Sequence, residues 1–239
     1  MHVTVVVSSK IVEDAEESVV ANASTPRGRY RSEVVAQIKE LADRQLSSVG
    51  PAGLSLSAIA RELGMSGPAL YRYFASRDAL LNALVTDAYN DLADELARRI
   101  METAASDDRF RTLLVAYRRW AVTNPHRYRL LYQPPIPGFD PNEPTLVGAS
   151  MRAMSLLLKA IAARRGHNIP VPAPLALSFN VWAEEVGLEV DPSSTLAAMQ
   201  AWSRIHGFVS LEISGNFAIM TQDVDALFEA ELDAMLSGR

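Results

Sequence analysis

The chain has 239 residues, 49% of them apolar, with 12 Gly, 13 Pro, no Cys and a formal net charge of −5. That length gives ample core for one large domain or for a small domain beside a larger one. The lack of cysteine excludes a disulfide scaffold, a thiol nucleophile and zinc fingers; it fits the reducing cytoplasm, where we expect the protein.

In chain order, residues 1–25 read as a flexible leader. The Val3 to Val7 run is too short for a secretory core and is followed by the acidic Glu13, Asp14, Glu16 and Glu17. A strand or an over-extended start would look the same. A first helix is expected from Arg31 to Ser47, with Val34, Val35, Ile38, Leu41, Ala42 and Leu46 at helical spacing. Arg27, Arg29 and Arg31 then precede it, either as a basic arm that reaches a groove or backbone or as disordered cations.

Gly50-Pro51-Ala52-Gly53 marks a loop, after which two short helical patterns flank a Gly-Met-Ser turn. Ser55 stands just before Leu56, Ile59, Ala60 and Leu63 and can cap that helix, which stops at Gly64, a residue suited to a left-handed cap. Ser66 can cap the second helix, and Pro68 is tolerated in its first turn. Leu70 and Phe74 share one face, and Ala69, Tyr71, Arg72 and Tyr73 lie around the others. The layout is that of a helix-turn-helix.

A longer pattern from Leu80 to Ile100 reads as one helix leaving this head. Further helices are expected over Phe110–Thr123, Pro125–Tyr132, Leu146–Arg165, Leu175–Val186, Pro192–Met220 and Val224–Leu236. Loops are marked by Pro134-Pro135-Ile136-Pro137-Gly138, by Pro141 and Pro144, and by Pro170, Pro172 and Pro174. No strand alternation stands out, and no segment approaches the ~20 apolar residues of a membrane-spanning helix. The expected fold class is all-α, with a three-helix head at 26–78 and a helical bundle at 79–239.

Charge divides unevenly along this plan. Between Pro26 and Arg77, eight basic residues stand against four acidic ones, a net +4, which leaves −9 for the remainder. A locally basic surface is all that counterion release at phosphates requires. A solvated helical face would carry the same charges.

The segment ending Leu70-Tyr71-Arg72-Tyr73-Phe74-Ala75-Ser76-Arg77-Asp78 resembles the DNA-binding domain of the TetR/AcrR family of transcriptional regulators, and the match extends over about Tyr30 to Leu84. The resemblance implies that Ser66, Gly67 and Ala69 open the recognition helix and approach base edges. It implies that Tyr71 and Tyr73 meet phosphates or thymine methyls, with simple packing as the alternative. Arg77 corresponds to the phosphate-binding cation after the helix, and Ser55 can bond a phosphate as well as cap. Arg72 is either bidentate to guanine or an exposed solubility residue. Arg29 completes the candidate DNA-binding set.

The stretch from Trp202 through His206-Gly207 to Glu212 resembles the Trp-His-Gly subgroup of TetR C-terminal domains, in which the last two long helices pair with those of a second subunit. Trp202, Ile205, His206, Val209 and Ile213 are therefore the candidate dimer interface. His206 could instead be a metal ligand or base, but no other His lies at ligand spacing, so a satisfied structural histidine is the better reading. Dimerisation also has a physical reason, because a single recognition helix reads few base pairs and two-fold dimers read inverted half-sites.

A TetR-like body implies a small apolar effector. Its candidate lining residues are Tyr117, Trp120, Tyr128, Tyr132, Met151, Met154, Phe179 and Trp182, since aromatic and Met groups make adaptable apolar walls. Ordinary core packing is the alternative for each. The expectation is a dimeric repressor of an inverted-repeat operator, released by that effector; a ligand-independent regulator or an activator is the alternative. An enzyme is disfavoured, because GxSxG, HExxH and phosphate-cradling glycine loops are all missing and no motif calls for a cofactor or a metal.

Overall fold

The computed structural model describes residues 25–103, 106–132, 143–164 and 169–237. The leader at 1–24, the prolines from Pro134 to Pro141 and the expected helix end at Arg165 lie outside the described residues. Among the described residues there are ten α-helices and no strand: α1 (Pro26–Val49), α2 (Leu56–Glu62), α3 (Gly67–Tyr71), α4 (Arg77–Met101), α5 (Ser106–Thr123), α6 (Pro125–Tyr132), α7 (Pro144–Ala162), α8 (Ala173–Glu185), α9 (Pro192–Ile213) and α10 (Val224–Leu236). A single 3-10 turn, Pro51–Gly53, follows α1.

Local chemistry sets most of the boundaries. The side chains of Thr25, Ser55, Ser66, Asp191 and Asp223 each accept a backbone N–H from the first turn of the helix that follows, satisfying donors with no partner inside the helix. The Thr25-Pro26 cap starts α1 at Pro26 rather than Arg31. Arg27, Arg29 and Arg31 are thus helical residues of α1, and the expected basic arm is corrected to the first turns of a helix.

Helix α2 ends as the sequence suggests. Gly64 has φ +65°, its N–H reaches the Arg61 carbonyl at 3.1 Å, and the Met65 N–H reaches the Ala60 carbonyl at 2.8 Å. This paired closure holds the turn of the helix-turn-helix. The same device at Gly215 (φ +74°) stops α9 at Ile213, so the helix expected to continue to Met220 ends earlier.

Two compact units emerge from the chain's contacts. One runs through Ala88 and takes in the described part of Arg129–Val147; the other comprises Tyr89–Tyr128 and the described part of Gly148–Arg239. The first is built on Ile38, Ile59, Leu70, Leu80 and Leu81, all fully buried. Each such side chain contributes up to about 1.5–3 kcal/mol against an exposed one, which is how a five-residue α3 is held in place. In the second unit α9 packs on α5, α8 and α10. Arg118 of α5 ties three of these helices together: it bonds Glu212 at 2.6 and 2.8 Å and Asp225 at 2.7 Å, and lies 4.5 Å over the Phe228 ring.

One stretch of α7, Thr145–Ala162, does reach membrane-spanning length with a mean hydropathy of 1.3, against the expectation that none would. Its Arg152 pairs with Asp94 at 2.6 Å, and Leu157, Leu158 and Ile161 are buried. Of that stretch 33% is buried within the chain.

Candidate nucleic-acid interface

The helix-turn-helix spends its apolar residues inward. Leu70 and Phe74 are buried beneath α3, while Ser66, Arg72 and Tyr71, the last 54% exposed, face solvent. Gly67, Ala69 and Tyr73 are half-buried. Ser66 Oγ accepts the Ala69 N–H at 3.4 Å, and Ser55 Oγ accepts the Ala58 N–H at 3.2 Å, so both serines cap their helices as expected. The backbone N–H of Ser55 in turn donates to Gln45 Oε1 at 2.9 Å, fixing the start of α2 on α1.

Arg77 occupies an inner position. Its guanidinium donates to the Pro51 carbonyl, and its Nε is buried with no hydrogen-bond partner among the described residues. The side chain bolts the start of α4 to the 3-10 turn. Arg29 and Tyr30 are exposed near the start of α1.

Arg31 was passed over by the sequence reading as a specific contact. It donates to the Arg72 carbonyl at 3.3 Å, and its guanidinium carbon stands 5.1 Å from the Tyr73 ring centroid. The two partners lie some forty residues away in the chain, so no local pattern could have announced the pairing.

The expected effector residues, all in the second unit except Tyr132, sort by burial. Tyr117, Trp120 and Tyr128 are buried, whereas Tyr132, Met151, Met154, Phe179 and Trp182 are half-buried. Tyr117 and Tyr128 meet edge to face at 6.4 Å, and both hydroxyls approach His206 Nδ1, at 3.4 and 2.9 Å. Trp202 stacks on the His206 ring at 5.5 Å between centroids. Burial pushes the imidazole pKa below its ordinary value. Trp120 is held separately, with its Nε1 donating to Asp91 at 2.9 Å beside Arg127 at 3.0 Å.

The candidate dimer stripe needs correction at two positions. Ile205 and Val209 are 2% and 0% exposed within the single chain, and a side chain already enclosed by its own bundle has no surface left for a second copy. Trp202, His206 and Ile213 are half-buried. Leu211 of α9 and Leu227 of α10 are exposed instead.

Comparison with known proteins agrees with this geometry. Residues 38–84 match the family model "Bacterial regulatory proteins, tetR family", and residues 110–235 match "Tetracyclin repressor-like, C-terminal domain". The chain is 39% identical over 211 residues to the HTH-type transcriptional regulator Rv1816 of Mycobacterium tuberculosis, covering 84% of this chain and 90% of that protein. It is 30% identical over 210 residues to Rv0681 of the same organism, an uncharacterized HTH-type transcriptional regulator, covering 87% and 81%. Among solved structures, a protein designated SCO4313 superposes with a TM-score of 0.75 at 37% identity over 89% of this chain and all of that one. The TetR-family regulator PfmR from Thermus thermophilus shares the fold, with a TM-score of 0.53 at 20% identity over 84% and 97%. A capped helix-turn-helix near the N-terminal end, a helical region following it in the chain and relatives that are transcriptional regulators make this chain a member of the TetR family of DNA-binding transcriptional regulators.

Proposed function

We propose that the protein is a repressor that binds an inverted-repeat operator as a homodimer and is released when a small apolar molecule enters the 79–239 body. The observation that carries this reading is the two-sided segment around α3, in which Leu70 and, just past the helix, Phe74 are buried while Ser66, Tyr71 and Arg72 face outward. In the proposal Ser66, Gly67 and Ala69 approach base edges, Arg72 reads guanine, and Tyr71 and Arg29 meet the backbone. The net +4 of the 26–77 segment supports attraction to phosphate, and the acidic remainder keeps nonspecific binding to the head.

For the effector, Tyr117, Tyr128, Trp202 and His206 form an aromatic group with a few polar atoms, the composition typical of small-molecule sites. For the dimer, the outer faces of α9 and α10, with Leu211 and Leu227 exposed, are the proposed contact. The protein then works in the cytoplasm, where the DNA is.

Selection of bound duplexes from a random pool, followed by the salt dependence of the winner's affinity, tests the reading. An enriched inverted repeat bound two chains per site, with affinity falling steeply as salt rises, is the expected result. Affinity indifferent to sequence would overturn it.

A further inference from the structure

We infer that Arg31 is a positioning residue for DNA recognition: from α1 it holds the C-terminal end of α3 and the Tyr73 ring, and so sets which bases Arg72 and its neighbours can read. The inference rests on the DNA-binding role proposed above and adds a residue that role did not include.

The need for such a residue follows from the size of α3. Five residues, Gly67–Tyr71, make barely more than one turn, and isolated helices that short have no stability of their own. Leu70 and Phe74 anchor it from beneath. Nothing in that anchoring fixes the outer side, where Tyr71 and Arg72 are exposed. The carbonyls at the end of a helix also lack partners within it.

Arg31 meets both requirements. Its Nη2 donates to the Arg72 carbonyl at 3.3 Å, placing a cation at the helix C-terminus where the helix dipole favours it. The same guanidinium lies 5.1 Å from the centroid of the Tyr73 ring, a cation–π contact. Its own backbone is firm, because α1 is locked into the head by Val34, Ile38, Leu41, Ala42 and Leu46, all buried. A rigid helix therefore grips a short one at the end that carries the exposed Arg72. Arginine suits the task because a planar fork can donate in its plane and stack by its face at once; lysine has the charge without the geometry.

The test uses the full chain with Arg31→Ala, Arg31→Lys and Tyr73→Leu, each checked for an unchanged thermal midpoint, as Arg31 is exposed. The first readout needs no DNA. In protein carrying fluorinated tyrosine, the Tyr73 resonance moves in both Arg31 variants while that of Tyr71 stays. The second readout is selection from a random duplex pool beside the wild type. All three variants lose about tenfold of discrimination at the same half-site positions, and Arg31→Lys does so with an unchanged salt slope.

Arg31→Lys behaving as wild type in both readouts would overturn the inference, as would Arg31→Ala losing affinity equally for every sequence with a salt slope smaller by about one, the mark of a phosphate contact. A wild type that selects no sequence defeats the DNA reading instead, and the fluorine signal still decides whether Arg31 holds Tyr73.

Discussion

The Tyr128 hydroxyl donates to the backbone carbonyl of His206 at 3.1 Å and lies 2.9 Å from the Nδ1 of the same residue. The same hydroxyl thus touches both the ring nitrogen and the carbonyl of one residue, and the Tyr117 hydroxyl approaches that nitrogen as well, at 3.4 Å. One tyrosine of α6 thereby holds both the backbone and the ring of a residue in the middle of α9.

Tyr128→Phe removes that partner from a site only 3% exposed. The expected cost is about 0.5–1.5 kcal/mol, the net worth of a typical intramolecular hydrogen bond, because the Tyr117 hydroxyl still approaches Nδ1 at 3.4 Å. Urea denaturation of the full chain, comparing midpoints at constant slope, measures it.

Acidification should weaken the second unit through His206. Its folded pKa is depressed by burial, so below the ordinary histidine value of about 6.5 the unfolded chain takes a proton that the folded chain resists. Stability is complete above that pH and is lost as pH falls toward the folded pKa. His206→Asn, which retains a donor and does not titrate, flattens stability as pH falls below about 6.5; the same slope in both proteins would assign the effect elsewhere.

Tyr71 and Arg77 should separate binding from folding. Tyr71 is exposed, so Tyr71→Ala leaves the stability within about 0.5 kcal/mol of wild type while weakening operator binding. Arg77 holds the Pro51 carbonyl from a half-buried position, so Arg77→Ala lowers the stability of the head by about 1–3 kcal/mol before any effect on DNA is read. Calorimetry beside a binding titration distinguishes the two.

Gly64→Ala places a side chain at φ +65°. There is nothing within 4 Å of the added methyl group, so the cost is purely conformational, about 1–2 kcal/mol. A neutral substitution in chemical denaturation would mean that the turn relaxes out of its left-handed geometry.

Leu211→Asp and Leu227→Asp, both at exposed sites, should shift the sedimentation profile toward monomer with secondary structure intact. Ile205→Ala should do the reverse, costing about 2–5 kcal/mol of stability with no direct effect on assembly. A stable dimer in both aspartate variants moves the interface off this face.

What the sequence made legible was whatever is decided locally. Ser55, Gly64 and Ser66 act on backbone groups within a few residues, and the helix-turn-helix could be placed from them. Thr25 and Gly215 are signals of the same kind, and overlooking them misplaced the start of α1 and the end of α9. The contacts of Arg31 and Arg77 were not legible, because their partners lie far along the chain. For Ile205 and Val209 the period announced a buried face, but a period does not say whether the cover is the same chain or another.

The recognition segment commits only Leu70 and Phe74 to the interior. Tyr71 and Arg72 are free of that duty, and so can be exchanged without disturbing the hydrophobic anchor, while Ser66 stays in place as the cap of α3. Under the proposed reading, a regulator built this way is retargeted to a new promoter by a few substitutions in the head alone, and a lineage of duplicated copies diverges in address long before diverging in signal.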